Sequence, residues 1–559
     1  MTVNVSFDQG EMRQVARGTT LEQLLVTLPP RERMPLAALV NGTLQELDYP
    51  LYSESRIEWL DYNCSVGWRV YRRSLVFLLQ LAVNELFPER RLWVSHSLSE
   101  GLFCWLDGPQ GQQVSAAEVE KIEAQMQRYV AQKLPITRSS IARDDAAAMF
   151  RAEGKTEKAL LLERRREEYI SIYTANGLTD FFFGKMAVNA SYLPYFHLLP
   201  YEDGFVMHLP AREYLGCVDR SEFLSRQLQT TLAEYHEWSE LMGVKTVSDL
   251  NAVVERGPRD FLELVLVAET LHERNLHRVS DAIYAEFPTV RLVLIAGPSS
   301  SGKTTTTRRL GIQFRTLGIK PVMISLDDYF VDREKTPRNA SGKPDFEGLA
   351  ALDLQLFEQN MQALLAGEEA ALPHYDFVSG KSIKDYRRLR LADDEILLVE
   401  GIHALNEALT VHIPHKHKRK IFISALTQLN LDSCNPVSAS DNRLIRRIVR
   451  DMQFRNSPAA QTLDQWEDVR RGEHHNIFPW QDDADHFINS VLIYELPVLR
   501  PAVEAALMEI DDSQPSYLEA QRLLRLIRYF SPAPADVVPR DSILQEFLGN
   551  SIFEAPRSE

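Results

Sequence analysis

The sequence predicts an α/β chain with a parallel-sheet domain in its second half, preceded by a small β-grasp module and an α+β domain. Three observations predict it. From Pro288 onward, short apolar runs alternate with helical stretches, the order that a parallel sheet with crossover helices requires. One of those runs leads directly into a glycine-rich GxxxxGK[ST] segment that opens a helix. The first 60 residues run strand, helix, strand, a length and order that suit a β-grasp unit.

Taken in order, Val3, Val5 and Phe7 alternate as a strand, and Leu21, Leu24, Leu25 and Leu28 follow at helical spacing. Pro29-Pro30 stop that helix, Ala37–Val40 runs into the turn Asn41-Gly42, and Ile57–Leu60 closes a module at 1–60. Residues 61–235 form a mixed unit with expected helices at Ser74–Leu86, Val119–Leu134 and Thr156–Tyr169. A helical connector at 236–287 carries two expected helices, Phe261–Leu271 and Val279–Phe287. The parallel-sheet domain spans 288–505, with strands expected at Arg291–Ala296, Pro321–Ser325, Ile396–Val399, Lys420–Ser424 and Phe487–Ile493. A helical tail at 506–559 carries no recognisable chemistry.

A net charge of −16 opposes nonspecific binding to a polyanion, because such binding needs Lys and Arg to displace counterions. RNA is therefore a disfavoured partner, and a local basic patch for one phosphorylated ligand is the more economical expectation. No apolar run is long enough to span a membrane, and the first ten residues lack the basic-then-apolar pattern of a secretory leader. Cys64, Cys104, Cys217 and Cys434 are scattered without a CxxC pair, which suits a reducing, cytoplasmic setting. His412, His415 and His417 read as a solvated loop before they read as a metal site. A homo-oligomer is compatible with all of this.

The chemistry begins at Gly297-Pro-Ser299-Ser300-Ser301-Gly302-Lys303-Thr304, with Thr305 next on the helix. Glycines let the backbone curl so that successive N–H groups face phosphate oxygens, and the helix N-terminus adds partial positive charge. Lys303 should neutralise the outer phosphates of ATP, and the Thr304 hydroxyl should ligate Mg²⁺. No guanine-reading NKxD segment follows, so ATP is expected over GTP. The second strand ends Ser325-Leu-Asp327-Asp328-Tyr-Phe330, which places Asp327 where ligands of open α/β sheets collect. Glu400 ends the buried strand Ile396–Val399, another acid beside the phosphate loop.

These segments resemble the uridine kinase family. Asp327 lies in a segment that resembles its S-x-D-x-F-Y pattern, with Tyr329-Phe330 in the reverse order, which implies the catalytic aspartate that accepts the acceptor hydroxyl proton or orients that hydroxyl and helps hold Mg²⁺. Glu400-Gly-Ile is similar to the family's E-G-I, which implies support of the Mg²⁺ shell. Asp345-Phe-Glu347 resembles the ribose-binding segment, implying ribose contact by Glu347. Pro373-His-Tyr375-Asp-Phe377-Val-Ser379 matches P-x-Y-D-F-V-S, implying that Tyr375 and Phe377 wall the base. The family continues with a base-reading histidine where this chain has Gly380, which implies altered base choice. Arg443-Leu-Ile-Arg446-Arg447-Ile-Val-Arg450-Asp451 resembles the family's R-L-x-R-R-x-x-R-D. That likeness implies Arg443 at the ribose, with Arg447, Arg450 and Arg455 nearer the ATP phosphates.

The first module resembles the TGS domain. The unit after it resembles the second domain of threonyl-tRNA synthetases, on Asp145-Ala-Ala-Ala-Met-Phe150, Gly154 and Lys158. The family edits there with HxxxH and CxxxH motifs; here His96 meets Glu100 and no His or Cys has a His at that spacing, so the editing chemistry is expected to be absent. His96, His197 and His208 read as structural. The resemblances imply an ATP- and Mg²⁺-dependent kinase that phosphorylates a nucleoside 5′-hydroxyl. Two alternatives stand beside it: a phosphoribulokinase-like kinase of another sugar hydroxyl, and an ATP-regulated RNA- or ribosome-binding protein.

Overall fold

A computed structural model describes residues 1–553 except 8, 9, 30, 32, 99, 100, 109, 110, 112, 211–225, 339–341, 343 and 428. The side chains of 96–98, 226–230, 232, 233 and 236 also fall outside the description. Glu100, Cys217 and the side chain of His96 therefore lie outside the described residues.

The chain forms two compact units, each made of more than one chain segment. The first comprises Met1–Leu224, Thr246–Ser248 and Gln428–Val437; the second comprises Ser225–Lys245, Asp249–Thr427 and Ser438–Glu559. The excursion at 428–437 is knitted into the first unit. Val94 N donates to Ser433 O at 2.8 Å, and Asn430 Nδ2 donates to Val94 O at 2.7 Å. The buried Lys158 ammonium pairs with Asp180 and lies 3.6 Å from Asp432.

In the first unit, a five-stranded mixed sheet runs Met12–Ala16, Thr2–Phe7, Ser55–Leu60, Ala37–Val40, Thr43–Glu46, with only the Thr2–Phe7/Ser55–Leu60 pair parallel. Helix Leu21–Val26 packs its leucines on Val5, Ala38, Val40 and Ile57. Its start is set by a reciprocal cap between Thr20 and Gln23. This is the expected β-grasp arrangement. Sequence pattern does not show the edge strand Met12–Ala16, because it has no fully buried residue to mark it. Among the described residues the rest of the unit holds three antiparallel sheets, of three, four and two strands, and the long, largely buried helix Ser65–Leu86. The expected helix Thr156–Tyr169 stops at Glu163. Tyr169–Ala175 is instead a strand paired with Thr137–Ala142, its Ile170 and Ile172 buried at alternate positions.

In the second unit, a parallel sheet runs Lys320–Ser325, Glu395–Glu400, Leu292–Ala296, Lys418–Ser424, His486–Asn489. All five expected strands form, although the last ends at Asn489. The central strand Leu292–Ala296 is wholly buried, as a parallel strand covered on both faces must be. The two helices expected in the connector are one, Pro258–Tyr284. Its buried stripe (Phe261, Leu264, Val265, Ala268, His272, Leu276, Val279, Ile283) keeps the 3–4 spacing across the join. Among the described residues no helix is long and apolar enough to cross a membrane.

Candidate active site

The register of the parallel sheet brings three strand ends level. Ile295 pairs with Glu400, and Ser325 pairs with Glu400 from the other side. The loop after Ala296, the Asp327 turn and Glu400 therefore open onto one cleft.

The loop turns into helix Lys303–Thr316 through Gly302, whose φ of +80° is the left-handed region that only glycine enters at little cost. The Ser300, Ser301 and Thr306 hydroxyls are buried without hydrogen-bond partners among the described residues. Lys303 folds back to donate to Pro298 O at 3.2 Å, and Thr304 Oγ1 donates to Glu400 Oε1 at 3.2 Å. Orphaned hydroxyls on a helix N-terminus, with a lysine beside them, fit an anionic ligand with many acceptor oxygens.

The electrostatics are those of a dense acid–base cluster. Burial lowers the Lys303 pKa, while Glu400, Glu546 and Asp327 hold its charge. Asp327 is accessible from the cleft yet ringed by protein; that desolvation raises its pKa, and the Lys303 charge opposes the rise. Glu400 is likewise raised by burial, with Lys303 and the Thr304 hydroxyl opposing. Asp328 turns away to His374 at 2.7 Å, so of the two neighbouring acids Asp327 serves the cleft. A carboxylate pair beside Thr304 suits the hard oxygen shell of Mg²⁺.

Of the arginines on helix Ala439–Arg455, two are internal. Arg443 is 2% exposed and donates to both oxygens of Glu473 and to Ser299 O, with Trp466 beneath its guanidinium. Its expected place at the ribose is thus taken by a buried ion pair, because a partner 30 residues downstream is invisible to helical periodicity. Arg446 pairs with Glu495 in the interior. Arg447, Arg450 and Arg455 gather on Asp451, and Arg447 also reaches Ser299 Oγ at 2.9 Å. Through Arg447 this group borders the loop.

On the acceptor side, Glu347 packs against Gly472, and its pKa is raised by burial and by Glu473, with Arg447 and Lys303 opposing. Tyr375 is buried and Phe377 is 58% exposed. Their rings lie 5.0 Å apart and both pack on Phe330, the residue that ends the Asp327 turn.

Four residues escape the sequence argument. His403, three residues past Glu400, is buried beside the Glu347 backbone and stays neutral, its pKa pushed down to about 4 by burial. Asp451 is the hub of the arginine trio. Glu473 accepts from Ser299 N at 3.0 Å as well as from Arg443. Glu546, in the tail, accepts from Thr305 N at 3.2 Å, and nearby Ile543 abuts Gly302. Only Asp451 carried a signal, as the acid closing the arginine motif.

Comparison with known proteins matches two regions of the chain. Residues 292–496 match the model of the Phosphoribulokinase / Uridine kinase family. The N-terminal region is similar to threonine–tRNA ligases. That of Symbiobacterium thermophilum is 29% identical over 227 residues, 40% of this chain and 35% of the ligase. That of Carboxydothermus hydrogenoformans is 26% identical over 261 residues, 46% of this chain and 41% of the ligase. The chain thus spans about a third to two fifths of the length of these curated relatives. Among solved structures, a possible uridine kinase from Bacillus stearothermophilus is 21% identical at a TM-score of 0.24, covering 39% of this chain and 98% of that one. D-glycerate 3-kinase from Cryptococcus neoformans is 14% identical at a TM-score of 0.21, covering 50% and 90%. Residues 292–496 are therefore a phosphoribulokinase/uridine kinase family domain, carried on a chain whose N-terminal region is homologous to threonine–tRNA ligases.

Proposed function

We propose that this chain is an ATP-dependent kinase that transfers a phosphoryl group to a hydroxyl of a small acceptor, a nucleoside 5′-hydroxyl first among candidates. The observation that carries it is Asp327, a carboxylate of raised pKa in the field of Lys303 and at the foot of an aromatic wall. A nucleotide-driven switch needs the loop and the lysine but has no use for an acid beside an acceptor wall.

ATP is the phosphoryl donor in this reading. Its phosphates would lie against the backbone N–H groups of Ser299–Thr305, with Lys303 and the Arg447, Arg450 and Arg455 guanidinium groups neutralising charge. Mg²⁺, held by Thr304, Glu400 and Asp327, would supply charge neutralisation on the phosphate oxygens. Asp327 orients the acceptor hydroxyl and takes its proton; the protein around it, by raising its pKa, makes it a better base than a fully hydrated aspartate. Glu347 and the wall of Phe330, Tyr375 and Phe377 hold the rest of the acceptor.

The test is a screen of nucleosides and sugars for stimulated ADP formation by the full-length protein. Acceptor-dependent ADP release with a matching phosphorylated product is expected. ATP hydrolysis that no hydroxyl acceptor stimulates would favour the ATP-regulated RNA- or ribosome-binding reading instead.

The tail acid offers a second check. Glu546 occupies an N–H of the phosphate-facing helix terminus, so an incoming phosphate meets a carboxylate there. Charges at a helix N-terminus count for about 0.3–2 kcal/mol, so Glu546→Gln should tighten nucleotide binding roughly 2- to 30-fold. Equilibrium titration of an ATP analogue at fixed salt measures it. Unchanged affinity would show that Glu546 swings aside freely.

A further inference from the structure

The aromatic wall ends at a feature that the kinase reading leaves unused. Phe330 packs on Phe346 at 6.0 Å, Tyr375 at 5.5 Å and Phe377 at 6.2 Å, making one group of four rings. Phe346 and Phe377 stay accessible, and the buried Tyr375 hydroxyl has no hydrogen-bond partner among the described residues. One end of this group adjoins the chemistry, since Phe330 follows Asp327 by three residues and Phe346 precedes Glu347. Buried unpaired polar groups and exposed rings beside reactive acids are the marks of a surface meant to be covered by a ligand.

The other end is Arg333. Its N–H donates to Gly380 O at 2.9 Å, and its terminal nitrogen donates to Phe377 O at 2.6 Å. Gly380 is buried with φ +69°, and a side chain built there would come within 2.8 Å of Arg333 Nε and 2.9 Å of its Cβ. The guanidinium fills the space a side chain at position 380 would take. The neighbouring acids look elsewhere: Asp332 pairs with Lys335 at 3.0 Å, and Glu334 with Lys381 at 3.3 Å. Among the described residues Arg333 makes no ion pair, and its Nε–H and second terminal nitrogen have no hydrogen-bond acceptor.

We propose that Arg333 is a specificity-determining residue of the acceptor site, reading an acceptor whose flat ring rests on the Phe377 side of the wall and whose edge carries two adjacent hydrogen-bond acceptor atoms. The proposal rests on the kinase reading above. A guanidinium offers donors only, in a planar fork that matches paired acceptors. The O2/N3 edge of cytosine is such a pair. Uracil places an N–H donor between its two carbonyls, and that donor would face the donors of Arg333. Gly380 is the enabling residue, since any side chain there displaces the fork.

The experiment compares kcat/KM of full-length wild type, Arg333→Ala, Arg333→Lys and Gly380→Ala for cytidine, uridine and 3-deazacytidine, which lacks the N3 acceptor. Equilibrium dialysis of cytidine and titration of an ATP analogue run beside it. Bidentate arginine contacts to a base discriminate on a scale of roughly 5- to 150-fold. Wild type should prefer cytidine to uridine, and Arg333→Ala should lose a factor in that range for cytidine, mainly in KM. ATP affinity should not move. 3-Deazacytidine with wild type should fall about as far as cytidine with Arg333→Ala. Arg333→Lys should fail to restore the loss, because an ammonium has no fork. Equal use of the three nucleosides by wild type and Arg333→Ala overturns the proposal and leaves the kinase reading standing. ATP turnover that no nucleoside stimulates, with no cytidine bound in dialysis, overturns both.

Discussion

Asp327→Asn should lower phosphoryl transfer to the acceptor by roughly 10²–10⁴-fold, the range a positioned general base contributes, while ATP still binds. Asparagine keeps the shape of the side chain and loses the proton acceptor. Lys303→Ala should fail differently. Lys303 stands among Glu400, Glu546 and Asp327 with its charge in the loop, so removing it strips stabilisation from any reaction of ATP, hydrolysis included. ATP-analogue affinity, ATP hydrolysis and product formation, measured for wild type and both variants, separate the two failures. Near wild-type transfer by Asp327→Asn would assign the base elsewhere, with the neutral His403 as the next group to test.

The largest stability effect should come from Glu473. Its carboxylate is 1% exposed, takes both arms of Arg443 and also caps Ser299 N. Glu473→Ala leaves a buried guanidinium without its counter-charge, a change that costs roughly 3–5 kcal/mol. Hydrogen exchange along Ala439–Arg455, with urea unfolding, reads that loss where it arises. Protection unchanged from wild type would mean that water reaches Arg443 and replaces the carboxylate. Burial by itself would raise the Glu473 pKa, but the Arg443 charge and hydrogen bonds more than offset it, and the net shift is downward. A folded-state pKa below the unfolded one means the contribution is present above the unfolded value of about 4.3 and fades as pH falls toward the folded value. Wild type should therefore lose its advantage over Glu473→Gln in acid.

What the sequence made legible were features written within a few residues. The strand running into Gly297, the acid at the end of Lys320–Ser325 and the acid ending Glu395–Glu400 are local patterns, and the sheet register brings them together. Helical spacing likewise placed Arg447, Arg450 and Arg455 on one helix. Pairing across the chain was not legible. Arg443 and Arg447 sit one turn apart in the same motif, yet one is internal and one borders the cleft, and what separates them is Glu473. Glu546 lies 241 residues from the amide it caps, on a tail whose sequence reads as packing alone. The strand at Tyr169–Ala175 was hidden for a related reason, since the charged residues before it extend a helical composition that the pairing with Thr137–Ala142 overrides.

The excursion at 428–437 bears on the order of events during synthesis. Domains generally fold as units as they leave the ribosome, N-terminal first. Here the first unit is two segments short when Leu224 emerges, because Thr246–Ser248 and the stretch that carries Asp432 and Ser433 are still unmade. Val94 N then has no Ser433 carbonyl, and the Lys158 ammonium has Asp180 but not Asp432. The ligase-like half must wait for about two hundred more residues, most of the kinase domain among them, before its last segment arrives. The first unit is thus begun before the second but completed only at Val437, with much of the second already made.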